Sequence, residues 1–245
     1  MNKGIGSHFL AFFLLGISIS SCSGDKGNSP APSIPDQSFT EEFETMPSAK
    51  DKGWVFLNTS NTLGSTNWTN PIPPPFPPYS SHSFNGYLWA DYNSTASAAG
   101  VISNWAISPK TGFQNGDKIS FYTRSEIVYY NKDSTDFVNR MQVRLNINND
   151  GANVGLGLGT GDFNIVLLDI NPGYKNFSLN AYNADSTEAY QAYPHRWTRF
   201  EITIGGLSAP AYGRFAFRYF VEDAGNNGRA TSIGIDDVEF TSAHK

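Results

Sequence analysis

Four segments of the sequence alternate apolar and polar residues, and this pattern restricts the fold more than any other feature. The alternation runs through 119–124, 140–147, 199–204 and 214–221. A period of two gives each strand one apolar face, as in antiparallel strands that cover a core. Glycine and asparagine clusters separate the segments, and no long stretch repeats at helical spacing. The sequence therefore predicts an all-β fold, a jelly-roll β-sandwich of antiparallel strands in a single domain.

Three other segments add local predictions. Asp150-Gly151 between two apolar runs predicts a β-hairpin turn. Residues 70–79 are rich in proline, which removes ladder donors, so they predict a stiff, extended surface loop. Residues 155–161 carry glycine at every second position and predict a strand with one bare face. A neighbouring element or a flat ligand ring is expected to approach that face.

The N-terminus predicts export. Residues 1–22 begin with a positive charge, continue with an apolar run at 9–19 and end at Cys22, in the pattern of a lipoprotein signal peptide. Residues 19–22 resemble a lipobox, which predicts lipidation of Cys22 and an outer-membrane or cell-surface location. A plain secretory signal is the alternative. Residues 23–38 predict a flexible tether, and 39–245 the folded domain.

Composition and motifs exclude several functions. Only 16% of the residues are charged, the net charge is −5, and no basic patch is visible, which excludes nucleic acid as a partner. We expect the protein to contact a membrane only through its lipid anchor. The sequence has no H-E-x-x-H or G-x-S-x-G motif, and its four histidines are scattered. A non-catalytic protein is therefore predicted. Carboxylates on or near strands keep a paired-carboxylate enzyme open as an alternative: Glu126, Glu201, Glu222 and Asp223.

Acidic residues at both ends of the domain predict a cation site. The apolar parity of residues 233–240 changes at Asp236-Asp237, which indicates a β-bulge. Near the start, Glu41 shares a strand face with Phe39 and Phe43, and a buried carboxylate needs a partner. If the first and last strands are neighbours, Glu41, Glu44, Asp236 and Asp237 are candidate ligands for a structural calcium ion. A salt bridge to Arg214 or Arg218 and simple exposure are the alternatives.

Aromatic residues in polar, loop-like contexts are the candidate ligand-binding residues. They are Trp89, Tyr92, Tyr129, Tyr130, Tyr182, Tyr190 and Tyr193. Exposed rings stack on sugars, while amide side chains fix orientation by hydrogen bonds. We expect some of these rings to form one exposed patch.

Blocks in a fixed order resemble choice-of-anchor J domains, which are related to cleaved-adhesin and, more distantly, MAM domains. The blocks are Phe39-x-Glu41-x-Phe43-Glu44, Gly53-Trp54, Trp68, residues 103–109, 116–124, 139–144, 213–219 and 233–238. Residues 103–109 resemble an N-W-L-I-T-P block, with Ala106 and Ser108 as departures. The resemblance implies a jelly roll, surface attachment, adhesion or glycan binding, and often calcium at the Phe-Glu start and the Ile-Asp-Asp end. It does not imply catalysis.

Together these features predict an adhesin-like, non-catalytic module on the cell surface that binds a glycan or a host or matrix protein. One alternative is a secreted glycoside hydrolase or polysaccharide lyase on a jelly-roll fold. Another is a structural component of a surface assembly, with the proline-rich loop or an edge strand as its contact.

Overall fold

The computed structural model describes residues 34–80, 83–130, 133–176 and 192–243. These ranges contain thirteen strands, one α-helix and one 3-10 helix at Tyr92–Ser94. In chain order the elements are β1 (Phe39–Glu41), α1 (Met46–Asp51), β2 (Val55–Asn58), β3 (Leu88–Asp91), β4 (Gly100–Ile107), β5 (Thr111–Phe113), β6 (Lys118–Ser125), β7 (Val128–Tyr130), β8 (Asp133–Thr135), β9 (Met141–Asn146), β10 (Ile165–Ile170), β11 (Thr198–Thr203), β12 (Ala211–Ala224) and β13 (Ser232–Thr241). No helix in these ranges is long and apolar enough to cross a bilayer.

The strands form two main antiparallel sheets. Sheet A has the order β1-β13-β6-β11, and β3 also pairs with β13. Sheet B has the order β10-β9-β12-β4-β2, and β5 pairs with β12. β7 and β8 form a two-stranded ribbon. The predicted all-β jelly-roll sandwich is confirmed, and the four alternating segments correspond to β6, β9, β11 and β12.

Aromatic side chains join the two sheets. Phe121 on β6 meets Phe217 on β12 edge to face, with ring centroids 4.8 Å apart. Trp54 stacks on Phe217 at 6.4 Å and contacts Phe43 at 4.9 Å. Burial of one such side chain stabilises the fold by about 2 kcal/mol, and edge-to-face pairs add further energy. The core therefore depends on rings contributed by both layers.

The single α-helix is fixed at its start by local chemistry. The Thr45 side chain accepts a hydrogen bond from the Ser48 backbone N–H at 3.3 Å, as an N-cap residue does. Pro47 occupies the first turn, where its missing N–H is not needed. The helix buries Ala49 and leads directly into Trp54 of the core.

The β-bulge predicted in β13 is present. Asp236 pairs with Tyr122 and Glu239 with Ser120, so two residues of β13 stand opposite one residue of β6. Asp237 takes a φ of 49° at this point. The bulge restores the parity of the strand, and Ile233, Ile235, Val238 and Phe240 are all fully buried.

The two ends of the domain meet, as the sequence predicts. Phe39 on β1 pairs with Phe240 on β13, and their rings stack at 5.8 Å. The predicted tether boundary needs correction, because residues 34–38 pack on the domain. Ile34 is 7% exposed, and the Gln37 N–H donates to Ser242 Oγ at 2.9 Å. The predicted signal peptide and residues 23–33 lie outside the described residues.

The proline-rich segment is a loop, in agreement with the prediction, and it is anchored on the outer face of sheet A. Phe76 is buried, and its carbonyl oxygen accepts a hydrogen bond from the Tyr87 hydroxyl at 2.9 Å. The Trp197 indole N–H donates to the Pro77 carbonyl oxygen at 2.9 Å. The loop therefore covers part of the sheet.

Two predictions for residues 150–161 are wrong. Asp150-Gly151 is not the tip of a two-residue hairpin, because β9 pairs with β10 across the long connection 147–164. The glycine-rich run forms a loop. Backbone approaches it closely, since a Cβ at Gly161 would collide with the Asn153 carbonyl oxygen. The close approach predicted for this run is confirmed and comes from backbone. Val154 and Phe163 of this connection pack on Trp105 on the outer face of sheet B.

Candidate functional site

A cavity of about 330 Å³ lies where the ends of β3 and β6 flank the start of β13. We call it the Trp89 pocket. Its walls are Trp89, Asp91, Tyr92, Glu126 and Phe137, together with parts of the connection 225–231. A cavity of this size, with aromatic walls and a few polar groups, is typical of a ligand site.

Strand alternation places two of these side chains in the pocket. Leu88 and Ala90 of β3 are fully buried in the core. Trp89 and Asp91 alternate with them and therefore point to the opposite, outer face of sheet A. The sequence L-W-A-D thus supplies core and pocket residues from one short strand.

Asp91 is buried and held in one orientation. One of its carboxylate oxygens accepts a hydrogen bond from the Asn93 backbone N–H at 3.1 Å, and the other accepts from Asn93 Nδ2 at 2.8 Å. These bonds cap the 3-10 helix that begins at Tyr92, so the same turn fixes the tyrosine ring beside the carboxylate. Burial raises the pKa of the Asp91 carboxyl, because the charged form loses water.

Glu126 approaches the pocket from the other side of β13. Its backbone N–H donates to the Ser232 carbonyl oxygen at 3.2 Å, and the Ser232 hydroxyl donates to Glu126 Oε2 at 3.0 Å. Asp91 pairs with Ser232 from the β3 side. Two strand spacings of about 4.8 Å therefore separate the backbones of Asp91 and Glu126 by roughly 10 Å.

The connection between β12 and β13 closes the pocket on one side. Gly225 has a φ of 123°, and a Cβ at this position would collide with the Ser97 carbonyl oxygen. Only glycine fits such a turn without strain. The Tyr92 N–H donates to the Thr231 carbonyl oxygen at 2.7 Å and ties the opposite wall to the same connection.

The structure brings two of the predicted ligand-binding residues together and excludes a third. Trp89 and Tyr92 both line the pocket, and Tyr92 is 37% exposed. Tyr193 is fully buried, and inside the core its hydroxyl forms a hydrogen bond with Thr123 Oγ1 at 2.6 Å. For Tyr129 and Tyr130 only the backbone of β7 is described, and Tyr182 and Tyr190 lie outside the described residues. Sequence analysis missed Phe137 and Asp91 as pocket residues, because their convergence depends on the fold.

The predicted metal ligands lie farther along β13, at its central bulge and beside β1. Glu41 is buried, and its partner is Lys52, with Nζ 3.1 Å from Oε2. Arg214 and Arg218, named as alternative partners, do not pair with it. Glu41 Oε1 accepts from the Phe43 N–H at 2.8 Å. Glu41 and Glu44 line a second cavity of about 360 Å³.

Asp236 is engaged by backbone donors of the proline-rich loop. Its Oδ2 accepts from the N–H groups of Tyr79 at 2.9 Å and Ser80 at 3.1 Å, while Oδ1 accepts from the Asp237 N–H. Among the described residues, no three acidic, histidine or cysteine side chains converge as a metal site. Calcium binding at these residues stays a prediction.

Comparison with known proteins identifies similar folds. No protein-family model matches the sequence. No curated protein matches it. The K1 cleaved adhesin domain of Lys-gingipain from Porphyromonas gingivalis W83 is similar, with a TM-score of 0.50 and 16% identity over 84% of this chain and 98% of that chain. The K3 cleaved adhesin domain of the same protein gives 0.52 and 16% over 85% and 99%.

The fold is similar to that of cleaved adhesin domains. At 16% identity the likeness establishes the fold alone, so function is argued from the site. The cleaved-adhesin part of the predicted resemblance agrees with these structures. The choice-of-anchor J assignment stays a prediction.

A serine, a histidine and an aspartate also meet near the pocket, which sequence spacing could not show. Ser125 Oγ lies 2.9 Å from His195 Nδ1, and Asp136 Oδ2 lies 3.6 Å from His195 Nε2. Ser125 is fully buried, whereas a serine nucleophile must reach a substrate carbonyl. The three residues therefore join the segment at 136 to the segment at 195 as a structural contact.

The carboxylates considered for catalysis are mostly engaged elsewhere. Glu201 contacts Lys118 and Arg199, and Asp223 contacts Arg229. Glu222 lies 3.3 Å from Arg140. Of the four, Glu126 alone lines the Trp89 pocket. Its partner in the pocket is Asp91, which sequence analysis did not select.

Proposed function

We propose that this protein is an adhesin-like module of the cell surface that binds a glycan or a host or matrix protein in the Trp89 pocket, without catalysis. The observation that supports it is the convergence of Trp89, Tyr92 and Phe137 with two carboxylates in one cavity. Rings supply contact area, and carboxylates fix the orientation of a ligand. The adhesin-like fold agrees with such a role.

Ligand screening with a matched pair of variants tests the binding role. The chain is applied to a glycan array and to immobilised matrix proteins, as wild type, Tyr92→Ala and Tyr212→Ala. Tyr212 is 51% exposed and lies outside the pocket, so its loss controls for removal of an exposed ring. We expect Tyr92→Ala to weaken binding about tenfold while Tyr212→Ala leaves it unchanged. Equal effects of the two variants would contradict the assignment of the pocket.

Surface attachment through Cys22 is the second part of the proposal. The only cysteine, Cys22, ends the lipobox-like stretch at residues 19–22. We expect Cys22→Ser to abolish incorporation of a radiolabelled fatty acid and to release the protein from the membrane fraction. Labelling that persists in Cys22→Ser would contradict it.

Calcium at Glu41, Glu44, Asp236 and Asp237 is the third part. It rests on the pairing of β1 with β13 and on the bulge at Asp236. Binding requires these side chains to rearrange around the ion, since Asp236 now accepts backbone N–H groups. We expect a chelator to lower the melting temperature of the full chain and added calcium to restore it. A melting temperature unaffected by either would exclude the ion.

A glycoside hydrolase or polysaccharide lyase is the second candidate, favoured by one observation. Asp91 and Glu126 share a pocket, with backbones roughly 10 Å apart, and paired carboxylates carry glycoside hydrolysis. This enzyme would be supported if the chain hydrolyses or cleaves a polysaccharide, if Glu126→Gln abolishes that activity, and if Glu239→Gln leaves it unchanged. Binding without turnover supports the module.

A further inference from the structure

The Trp89 pocket carries negative charge that no lysine, arginine or histidine in its lining offsets. Asp91 and Glu126 contribute two carboxylates, and the other lining residues among those described are neutral. Arg229, in the neighbouring connection, is held on Asp223 and over the Tyr174 ring at 4.3 Å. Arg124 lies outside the lining and attracts Glu126, so the negative charge of the pocket wall comes from the two lining carboxylates.

Among the buried carboxylates of the described residues, some pair with a cation, whereas Asp91, like Asp236, accepts hydrogen bonds from neutral donors. Asp169 contacts Arg140 at 2.7 Å, and Glu41 contacts Lys52 at 3.1 Å. Asp91 is 8% exposed, and within the described ranges neither it nor Glu126 has a lysine or arginine within 4.0 Å. Both are instead oriented by neutral donors, Asn93 and Ser232. Burial raises the pKa of Asp91, so a cation entering the pocket would stabilise its charged form.

The aromatic walls favour a flat cation. A guanidinium is planar and weakly hydrated, stacks on ring faces and pairs with carboxylates through two N–H groups. The chain uses the same chemistry internally, where Arg124 lies over the Phe76 ring at 4.4 Å and Arg218 over the Phe220 ring at 3.9 Å. Trp89, Tyr92 and Phe137 offer three such rings beside the two carboxylates.

We propose that the Trp89 pocket binds the guanidinium of an arginine side chain that a partner protein presents. The inference rests on the proposed binding function and specifies its ligand. Asp91 and Glu126, on opposite sides of Ser232, pair with the guanidinium, and the rings cover its faces. The pocket volume of about 330 Å³ accommodates one long side chain.

A titration with small probes tests the ligand class. Backbone and indole N–H signals of the full chain are followed by NMR while Nα-acetyl-arginine amide is added. The matched probe is Nα-acetyl-citrulline amide, which has the same shape and no charge. We expect arginine to shift the signals of Trp89 and Asn226 and to bind about tenfold tighter than citrulline. Raising the salt concentration is expected to weaken the binding of the arginine probe and to leave the binding of the citrulline probe unchanged.

Variants locate the effect in the pocket. Glu126→Gln and Asp91→Asn each remove one charge and are expected to weaken arginine binding about fivefold or more. Glu239→Gln removes one exposed charge outside the pocket and is expected to leave binding unchanged. Two pocket variants are used so that a folding defect in one leaves the other informative.

The outcomes separate this inference from the proposed function. Arginine that binds no better than citrulline overturns the inference. Glucosamine that binds tighter than arginine also overturns it, since the cation would then belong to a glycan. In both cases the proposed binding function is retained if the neutral probe or the sugar probe binds in the pocket. If no probe, glycan or matrix protein perturbs the pocket signals, both fail.

Discussion

Phe217 occupies the centre of the aromatic network that joins the sheets. It contacts Trp54, Phe121 and Phe215, and it is fully buried. We expect Phe217→Ala to lower the free energy of unfolding by about 3–5 kcal/mol, because the cavity it leaves cannot collapse fully. Phe84→Ala, at a 66% exposed phenylalanine, is the control and is expected to change it by less than about 0.5 kcal/mol. Urea denaturation of both variants measures the difference, and similar losses would contradict the packing described.

The buried charge of Asp91 is expected to lower the free energy of unfolding of the ligand-free protein at neutral pH. Its pKa is raised by burial above the value of 3.8 that applies in the unfolded chain. The stabilisation that accompanies its protonated form is complete below about pH 3.8 and is lost as the pH rises through the folded-state pKa. Asp91→Asn keeps the cap at the 3-10 helix and removes the buried charge.

We therefore expect Asp91→Asn to be more stable than wild type at pH 7 by up to about 1 kcal/mol, and to lose this advantage near pH 4. Thermal denaturation at several pH values measures it. Glu239→Gln, at an exposed position, should show no such trend. A variant that is destabilised equally at both pH values would refute the argument.

At the scale of elements, the glycine-rich connection depends on one arginine. Arg218 is 1% exposed and donates to the Gly157 carbonyl oxygen at 2.6 Å and the Gly159 carbonyl oxygen at 3.1 Å. Burial lowers its pKa to about 9, so the guanidinium stays charged at neutral pH. Its remaining donors bind Ser103 and Gln142.

We expect Arg218→Gln to release this connection, because the carbonyl groups of Gly157 and Gly159 lose their donor. The free energy of unfolding should fall by about 2–3 kcal/mol, and amide hydrogen exchange at 155–161 should accelerate. Arg229→Gln, where the arginine side chain is 38% exposed, is the matched control and should leave that exchange unchanged. Unaltered exchange in Arg218→Gln would show that other contacts hold the connection.

Sequence reasoning succeeds for the alternating strands and fails for the glycine-rich connection. β6, β9, β11, β12 and the bulge in β13 follow from alternation, because burial on one face imposes a period of two. Residues 155–161 have the same period, yet the carbonyl groups of Gly157 and Gly159 accept hydrogen bonds from Arg218, about sixty residues later in the chain. Local pattern carries no information on such a distant donor.

The candidate site was predictable only in part for a similar reason. Trp89 and Tyr92 were selected from their polar context, and the fold brings them together. Tyr193 has an equally polar context, but Thr123 accommodates its hydroxyl inside the core. Asp91 and Glu126 converge because β3 and β6 both flank β13, and strand order is not visible in the sequence. Topology therefore decided which side chains share the pocket.

At the scale of the whole domain, stability depends on the closure of the chain ends. Phe39 stacks on Phe215 at 6.4 Å and on Phe240 at 5.8 Å, and Phe43 contacts Trp54. A chain that begins at residue 45 loses β1 and both phenylalanines. We expect its melting temperature to fall by roughly 10–20 °C relative to a chain that begins at residue 34. Equal melting temperatures for the two would mean that β1 is dispensable.

β13 connects the two places where the proposed anchor and the proposed partner would pull on the domain. The Trp89 pocket lies at its first residue, Ser232, and β1 is joined near its end, at Phe240. At about 3.3 Å per residue, these points are roughly 26 Å apart. In the proposed surface-attached protein, an anchor that precedes β1 would hold one end of this strand while a bound partner would pull at the other. The hydrogen bonds between β1 and β13 are then loaded in shear, together rather than one after another, which is the geometry in which a small ladder resists force best.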